Sequence, residues 1–346
     1  MIQRFLRGQV INERFSIEEW VGEGGFASVY RAHDRQTGET VAIKCLEDFD
    51  TVASERFLHE ARILATLDHP HIVRHVANGR TSSNDLYLVM EWLSGETLES
   101  RLRRAPLTTR ETVTMAQRLA SALEAAHVRG RVHRDIKPSN IILVDQDVGQ
   151  AKIIDFGVAR MTDRHLNLTQ TGAILGTPGY MAPEQARGEG NESAAADVFS
   201  LGCVMFECLA GQPPFEGTHT LAILAKILFV DPPRLEQIRP EIPNALSKLV
   251  DRMLSKDPGE RPQSGGRVGE ELDHIAAMLS EMGGDALPNP IQHRPAITAV
   301  ERRLVSILAI VPMRGGSDGE LDTDTRIDIA GMVGAITKET NTRTEI

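Results

Sequence analysis

The stretch His133-Arg134-Asp135-Ile136-Lys137-Pro138-Ser139-Asn140 decides how this chain is read. A carboxylate stands there beside Arg134, with Lys137 two positions on and the amide of Asn140 three beyond that. Upstream, Thr108–Arg129 has the apolar spacing of a long amphipathic helix. Downstream, Ala151–Ile154 reads as a short strand that delivers Asp155-Phe156-Gly157. Gly176-Thr-Pro-Gly-Tyr-Met-Ala-Pro-Glu184 then forms a turn-rich segment, and Ala194–Ala210 is an apolar helix.

Working toward the N-terminus, the texture changes from helix to strand. Phe15–Val21, Ser28–His33 and Thr40–Leu46 alternate or run β-branched, and Asp34–Gly38 supplies a hairpin loop. Ser54–Leu67 has helical spacing, and Ile72–Asn78 and Leu86–Glu91 return to strand. Five strands and one helix predict a small antiparallel lobe over residues 15–93. Further helices at Ala222–Leu228, Ala245–Leu254 and Gly269–Met282 predict a larger, mainly helical lobe over residues 94–280. The expected fold class is α+β, in two lobes.

Two features of the first lobe point to phosphate chemistry. Gly22-Glu-Gly24-Gly25-Phe-Ala-Ser-Val29 lies between two strands, where glycines let backbone N–H groups approach phosphate oxygens. The same loop would also serve as a plain flexible hairpin, and it lacks the GK[ST] of a P-loop. Lys44 ends the apolar triplet Val41-Ala42-Ile43, a poor place for a solvated amine. A phosphate would explain it, and so would a carboxylate, for which Glu60 in the first helix is the candidate.

Taken together, in order and in context, these segments resemble the eukaryotic-type serine/threonine protein kinase family, in its bacterial branch, over about Phe15 to Leu279. The glycine loop departs from the family pattern: Ala27 holds the place of the third glycine, and Gly25 is extra. The resemblance implies a bilobal kinase fold and transfer of the ATP γ-phosphate to Ser or Thr hydroxyls of proteins. It implies that Lys44, held by Glu60, meets the nucleotide phosphates, and that Asp155 and Asn140 hold Mg²⁺ or Mn²⁺. Asp135 would accept the substrate proton, and Lys137 would neutralise the moving phosphate. Val21, Gly22, Gly24, Gly25, Val29, Ala42, Met90, Glu91, Leu93 and Leu143 would line the nucleotide pocket, with Glu91-Trp92-Leu93 as its hinge. Lys137 within RDIKPSN and Thr177 within GTPGYMAPE resemble serine/threonine rather than tyrosine kinases, and Thr177 would bridge toward Asp135 and Lys137.

The resemblance also implies architecture and regulation. Glu184 should pair with Arg261, and Asp197 should cap backbone groups near His133. Phe156, His133 and Leu64 should stack between the lobes. Thr162, Thr169 and Thr171 lie between Val158 and Leu175. A phosphate on Thr169 or Thr171 could pair with Arg134 and order that segment.

Composition bounds the alternatives. Hydrophobic residues make up 41% and charged residues 25% of the 346, as in globular proteins. The net charge of −10 argues against a globally basic nucleic-acid binder. Three cysteines, Cys45, Cys203 and Cys208, suit a reducing compartment, so a cytoplasmic location is expected. Neither a signal peptide nor an apolar run of about 20 residues is evident, so no membrane segment is expected. Residues 281–300 read as a linker. The strand-like tail, 301–346, resembles the opening of class III nucleotide cyclase-like domains, but Val311 stands where those place a metal-binding aspartate. It is either a small appendage or the start of a further domain, and a route to dimerisation or to downstream sequence. A pseudokinase scaffold is the competing reading of the kinase segment.

Overall fold

A computed structural model describes residues 5–24, 27–46, 51–155, 178–189 and 193–282. The sequence expectations at Gly25, Phe156, Thr162, Thr169, Thr171 and Thr177, and those for the tail, lie outside the described residues.

The first lobe is a six-stranded antiparallel sheet in the order β1-β2-β3-β4-β6-β5. Its strands are β1 (Val10–Ile11), β2 (Phe15–Gly24), β3 (Ala27–Asp34), β4 (Thr40–Leu46), β5 (His75–Arg80) and β6 (Leu86–Glu91). Strand alternation sorts β4 into two faces. Val41, Ile43 and Cys45 are buried on the outer face with Phe15, Ile17, Tyr30 and Val89. The N-terminal segment covers that face, and Phe5 meets Tyr30 edge-on at 5.4 Å between ring centroids. The opposite face carries Ala42 and Lys44. Leu86 and Leu88 pack there with Phe57, Ala61 and Leu64 of helix α1 (Thr51–Thr66).

Cross-strand register fixes what faces the cleft. Val29 pairs with Lys44, Ala42 with Met90, and Gly22 with Val29. Paired residues share a face of the sheet, so these side chains lie together.

The second lobe is built around α3 (Thr109–His127) and α5 (Ala194–Ala210). Thr108 and Glu111 close a capping box that starts α3. Gly211, at φ 77°, ends α5 in the left-handed conformation that glycine accepts without cost. Between these helices a three-stranded sheet joins β7 (Gly95–Thr97), β8 (Ile141–Val144) and β9 (Ala151–Ile153). Short α2 (Leu98–Leu102) and α4 (Pro183–Ala186) are followed by α6 (Thr220–Phe229), α7 (Leu235–Ile238), α8 (Asn244–Met253) and α9 (Gly265–Met282). Helix α9 docks its first residue on α3 so closely that a Cβ at Gly265 would collide with the carbonyl of Ala120.

Three sequence expectations need correction. The strand read at Ile72–Asn78 begins only at His75. Ile72 and Val73 bridge instead to the second lobe: Val73 N–H donates to Ile153 O, and Ile153 N–H donates to His71 O, both at 2.9 Å. The first sheet has a sixth strand, two residues long, and β7 and β8 were not read as strands, being too short to show a period. Helix α9 starts four residues earlier than the apolar spacing indicated, because Gly265 and Gly266 obscure its first turn.

Candidate active site

The cleft groups come from distant parts of the chain. Lys44 Nζ lies 3.1 Å from Glu60 Oε1 and 2.9 Å from Asp155 Oδ1. Lys44 and Glu60 are largely buried, while the Asp155 side chain keeps 36% of its surface. Desolvation alone would discharge Lys44, but the two carboxylates more than offset it and raise its pKa. Burial raises Glu60 to about 7, opposed by Lys44 and reinforced by the charge of Asp155. Asp155 also feels burial, yet Lys44 dominates and its pKa is lowered. The ammonium is therefore shared unequally, with the proton-free form best secured at Asp155.

A second cluster surrounds Asp135. Lys137 Nζ donates to Asp135 Oδ2 at 2.7 Å, and Asn140 Nδ2 donates to the same oxygen at 2.9 Å. Asn140 Nδ2 also donates to the Asp135 carbonyl at 2.8 Å. Both side-chain bonds to the carboxylate land on Oδ2.

The loop carrying Asp135 is held from beneath. Asp197, fully buried at the start of α5, accepts the N–H groups of His133 and Arg134, each at 2.7 Å. His127 Nε2–H donates to Asp197 at 2.9 Å, while His127 Nδ1 accepts the N–H of Gly265 at 3.2 Å. His133 is fully buried, and burial keeps its imidazole neutral. Its Nδ1 accepts the Asp135 N–H at 3.3 Å, so Nε2–H faces the Ile154 carbonyl at 3.3 Å. Leu64 is buried as well.

Farther down, Arg261 forks onto Glu184, at 2.7 Å (Nη1–Oε1) and 2.9 Å (Nη2–Oε2), inside the protein. The same guanidinium donates to Ala195 O and Ser255 O and lies 4.9 Å from the centre of the Phe199 ring.

The expected pocket residues divide by exposure. Met90 and Leu143 are buried in the core, Ala42 and Leu93 are partly buried, and Val21 is half exposed next to a bulge in β2. Sequence reasoning missed three contacts: Lys44 with Asp155 directly, Lys152 with Glu91, and Tyr180 Oη–H with Glu207 at 2.6 Å. None has a sequence signal, because each joins residues on elements brought together only by folding.

A sequence profile described as "Protein kinase domain" matches residues 15–272. The chain belongs to the protein kinase family. Serine/threonine-protein kinase PknA of Mycobacterium tuberculosis is 38% identical over 296 residues, 83% of this chain and 66% of that one. The probable serine/threonine-protein kinase PknB of Lactococcus lactis is 36% identical over 255 residues, 72% of this chain and 40% of that protein. The chain thus spans from about two-fifths to just under two-thirds of these relatives. Among solved structures, Rad53 residues 1–466 in complex with AMP-PNP matches with a TM-score of 0.62 at 28% identity. That match covers 76% of this chain and 65% of the other. As a family, kinases imply ATP as substrate and a divalent metal.

The residues present fit that metal. Among the described residues no group of three or more His, Cys, Asp or Glu could cage an ion alone. Mg²⁺ is held in such sites by one or two protein oxygens plus phosphates. Asp155 offers a carboxylate, and both hydrogen bonds of Asn140 use Nδ2, so its oxygen is the atom that would meet a cation.

Proposed function

We propose that this chain is a serine/threonine protein kinase that transfers the γ-phosphoryl group of ATP to Ser and Thr hydroxyls of proteins, including its own. The observation that carries the reading is Lys44 Nζ bridging Glu60 and Asp155 at 3.1 and 2.9 Å. That bridge joins the phosphate-facing lysine, its helix partner and a metal-type carboxylate in one arrangement. A scaffold without turnover needs no such set.

In this reading the backbone of Glu91 and Leu93 meets adenine, and Val29, Ala42, Met90 and Leu143 enclose it. Val21, Gly22, Gly24 and Gly25 cover the phosphates. Asp155 and Asn140 hold the metal, taken as Mg²⁺ with Mn²⁺ as substitute. When bound, the ion supplies positive charge between phosphate oxygens. Lys44 then exchanges part of its contact with Asp155 for the phosphates. Asp135 presents Oδ1 to the acceptor hydroxyl, since Oδ2 is occupied by Lys137 and Asn140. It orients that hydroxyl and takes its proton. Lys137 offsets charge on the transferring group, and Thr177 bridges toward both.

Phosphate on Thr169 or Thr171 would be received by Arg134. Burial lowers the His59 imidazole, and the charges of Arg131, Arg62 and Arg134 lower it further, which supports a basic cleft there. Three buried cysteines support work in the reducing cytoplasm. No helix among the described residues is long and apolar enough to cross a membrane. Residues 15–280 form the catalytic unit in this reading, followed by a linker to 300. The tail, 301–346, makes no cyclic nucleotide and offers a surface for a second copy or for downstream sequence.

The test is incubation of the purified chain with labelled ATP, Mg²⁺ and a Ser/Thr-containing protein. Phosphoserine or phosphothreonine supports the reading, and mass spectrometry locates autophosphorylation. Nucleotide binding with no phosphoprotein would favour the scaffold, and cyclic nucleotide would favour a cyclase.

A further inference from the structure

Glu91 is the last residue of β6 and follows Met90 directly. Lys152 is the middle residue of β9, three positions before Asp155. Their side chains meet at 2.6 Å (Nζ–Oε1), with 19% of the lysine and 20% of the glutamate exposed. The same oxygen of Glu91 accepts the N–H of Arg74 at 2.8 Å, and Glu91 N–H donates back to Arg74 O at 3.0 Å. Arg74 closes the connector whose Val73 and His71 bond to Ile153 of β9. One carboxylate oxygen is therefore the meeting point of the strand leading into the hinge, the connector, and the strand leading into Asp155. The next hinge residue is also held: the Arg31 guanidinium lies 5.4 Å from the Trp92 ring centre and pairs with Glu18 at 3.0 Å.

We propose that the Glu91 side chain, through Lys152, is a positioning device that fixes the distance between the hinge and Asp155. This rests on the cleft being the nucleotide site, as argued above. A nucleotide gripped at both ends, by hinge backbone at the base and by Lys44 and a metal at the phosphates, demands a set span between the grips. Without the ion pair, the hydrogen bonds that link β9 to β6 among the described residues run through the main chain of the connector. Any conformers outside the required span lower the apparent affinity by the fraction that remains competent. A charge-assisted contact shielded from water holds such a span better than an exposed pair, which entropy and salt weaken. The role is separate from the hinge backbone's own contact with adenine, which substitution of the side chain leaves in place.

The experiment is a double-mutant cycle on the full chain with Glu91→Gln, Lys152→Met and the pair, read by calorimetric titration of MgADP and by steady-state kinetics. Glu91→Gln keeps an acceptor for Arg74 N–H while deleting the charge. Each single substitution should raise the MgADP dissociation constant and the KM for ATP on the order of three- to tenfold. The KM for peptide and the melting temperature should stay close to wild type. The double variant should be no worse than either single one, and Lys152→Arg should keep wild-type affinity. Wild-type affinity in both single variants, or losses that simply add in the double one, would overturn the proposal. If the wild-type chain binds MgADP with coupling in the cycle but phosphorylates nothing, the positioning role stands and the catalytic reading falls. If it binds no nucleotide, both fall together.

Discussion

Asp197 Oδ1 lies 2.7 Å from the backbone nitrogen of Arg134, a residue held at φ 72°. Left-handed backbone is uncommon outside glycine and persists only where surrounding structure enforces it. Asp197 enforces it here from the start of α5, 63 positions away, and the next residue is Asp135. Asp155 is also left-handed, at φ 55°. Asp135 and Asp155 are thus both aimed by strained backbone rather than by rotamer choice alone.

Asp197→Ala removes an acceptor from the N–H groups of His133 and Arg134 and from His127. Hydrogen bonds to a charged group are worth roughly 1.5–3 kcal/mol each. Melting should fall by several degrees, and kcat should fall further than the loss of folded protein accounts for. Equal losses in folded fraction and kcat would show that the loop holds its shape without Asp197.

Asp135→Asn should lower kcat by on the order of 10²–10⁴. The amide can still accept from Lys137, so MgADP affinity and melting temperature should match wild type. Wild-type turnover would remove Asp135 from the mechanism.

Lys44→Met should cut turnover far more than it weakens nucleotide binding, because in the proposed reading the hinge and metal supply most of the affinity. It also leaves Glu60 and Asp155 without the charge between them. Titrating MgADP against both proteins checks the split, and a variant that neither folds nor binds would make Lys44 structural.

Glu60 gives a pH prediction. Its pKa stands near 7, against an ordinary 4.5, because burial and Asp155 outweigh Lys44. Protonation below pH 7 weakens its hold on Lys44, so kcat/KM for ATP should decline along an acid limb with an apparent pKa near 7. Stability moves the other way: a raised pKa means the folded state binds the proton more tightly. Glu60's contribution to stability is fully present below about pH 4.5 and is lost as the pH rises through 7. In Glu60→Gln the limb should vanish at a lower overall rate. An identical limb in that variant would assign the titration elsewhere.

Arg261→Ala strands Glu184 inside the protein. Removing one member of a buried pair costs about 3–5 kcal/mol. In a domain of this size that corresponds to a drop in melting temperature on the order of 10 °C. Arg261→Lys should also destabilise, since one ammonium cannot replace a fork that reaches Glu184, Ala195 and Ser255. A melting temperature within 2 °C of wild type for Arg261→Ala, about the scatter of the measurement, would show that Glu184 finds another partner.

Much of the fold was legible locally. The β4 and β6 boundaries matched the sequence reading because Thr40–Leu46, broken by Lys44, and Leu86–Met90 are runs of β-branched, aromatic and apolar residues. Helix α5 was equally plain, since Ala194–Ala210 is apolar all round and is buried almost throughout. The strand at Ile72 was misread because β-branched residues signal extended backbone without saying which neighbour they pair with. Ile72 pairs with Ile153, 81 positions on, rather than with the adjacent strand.

By itself, the sequence determined the motifs, their order and hence the family, because residue types such as those of His133–Asn140 are constrained by chemistry wherever they occur. It also determined the alternation that turns Ala42 and Lys44 to one face and Val41, Ile43 and Cys45 to the other. Only the tertiary structure decided that Lys44 touches Asp155 as well as Glu60 and that Lys152 meets Glu91. The physical reason is range. Periodicity and turn chemistry act over a few residues, whereas these contacts close loops of 61 to 111 residues. Which distant charges meet is set by how two whole lobes pack, and no local pattern encodes that.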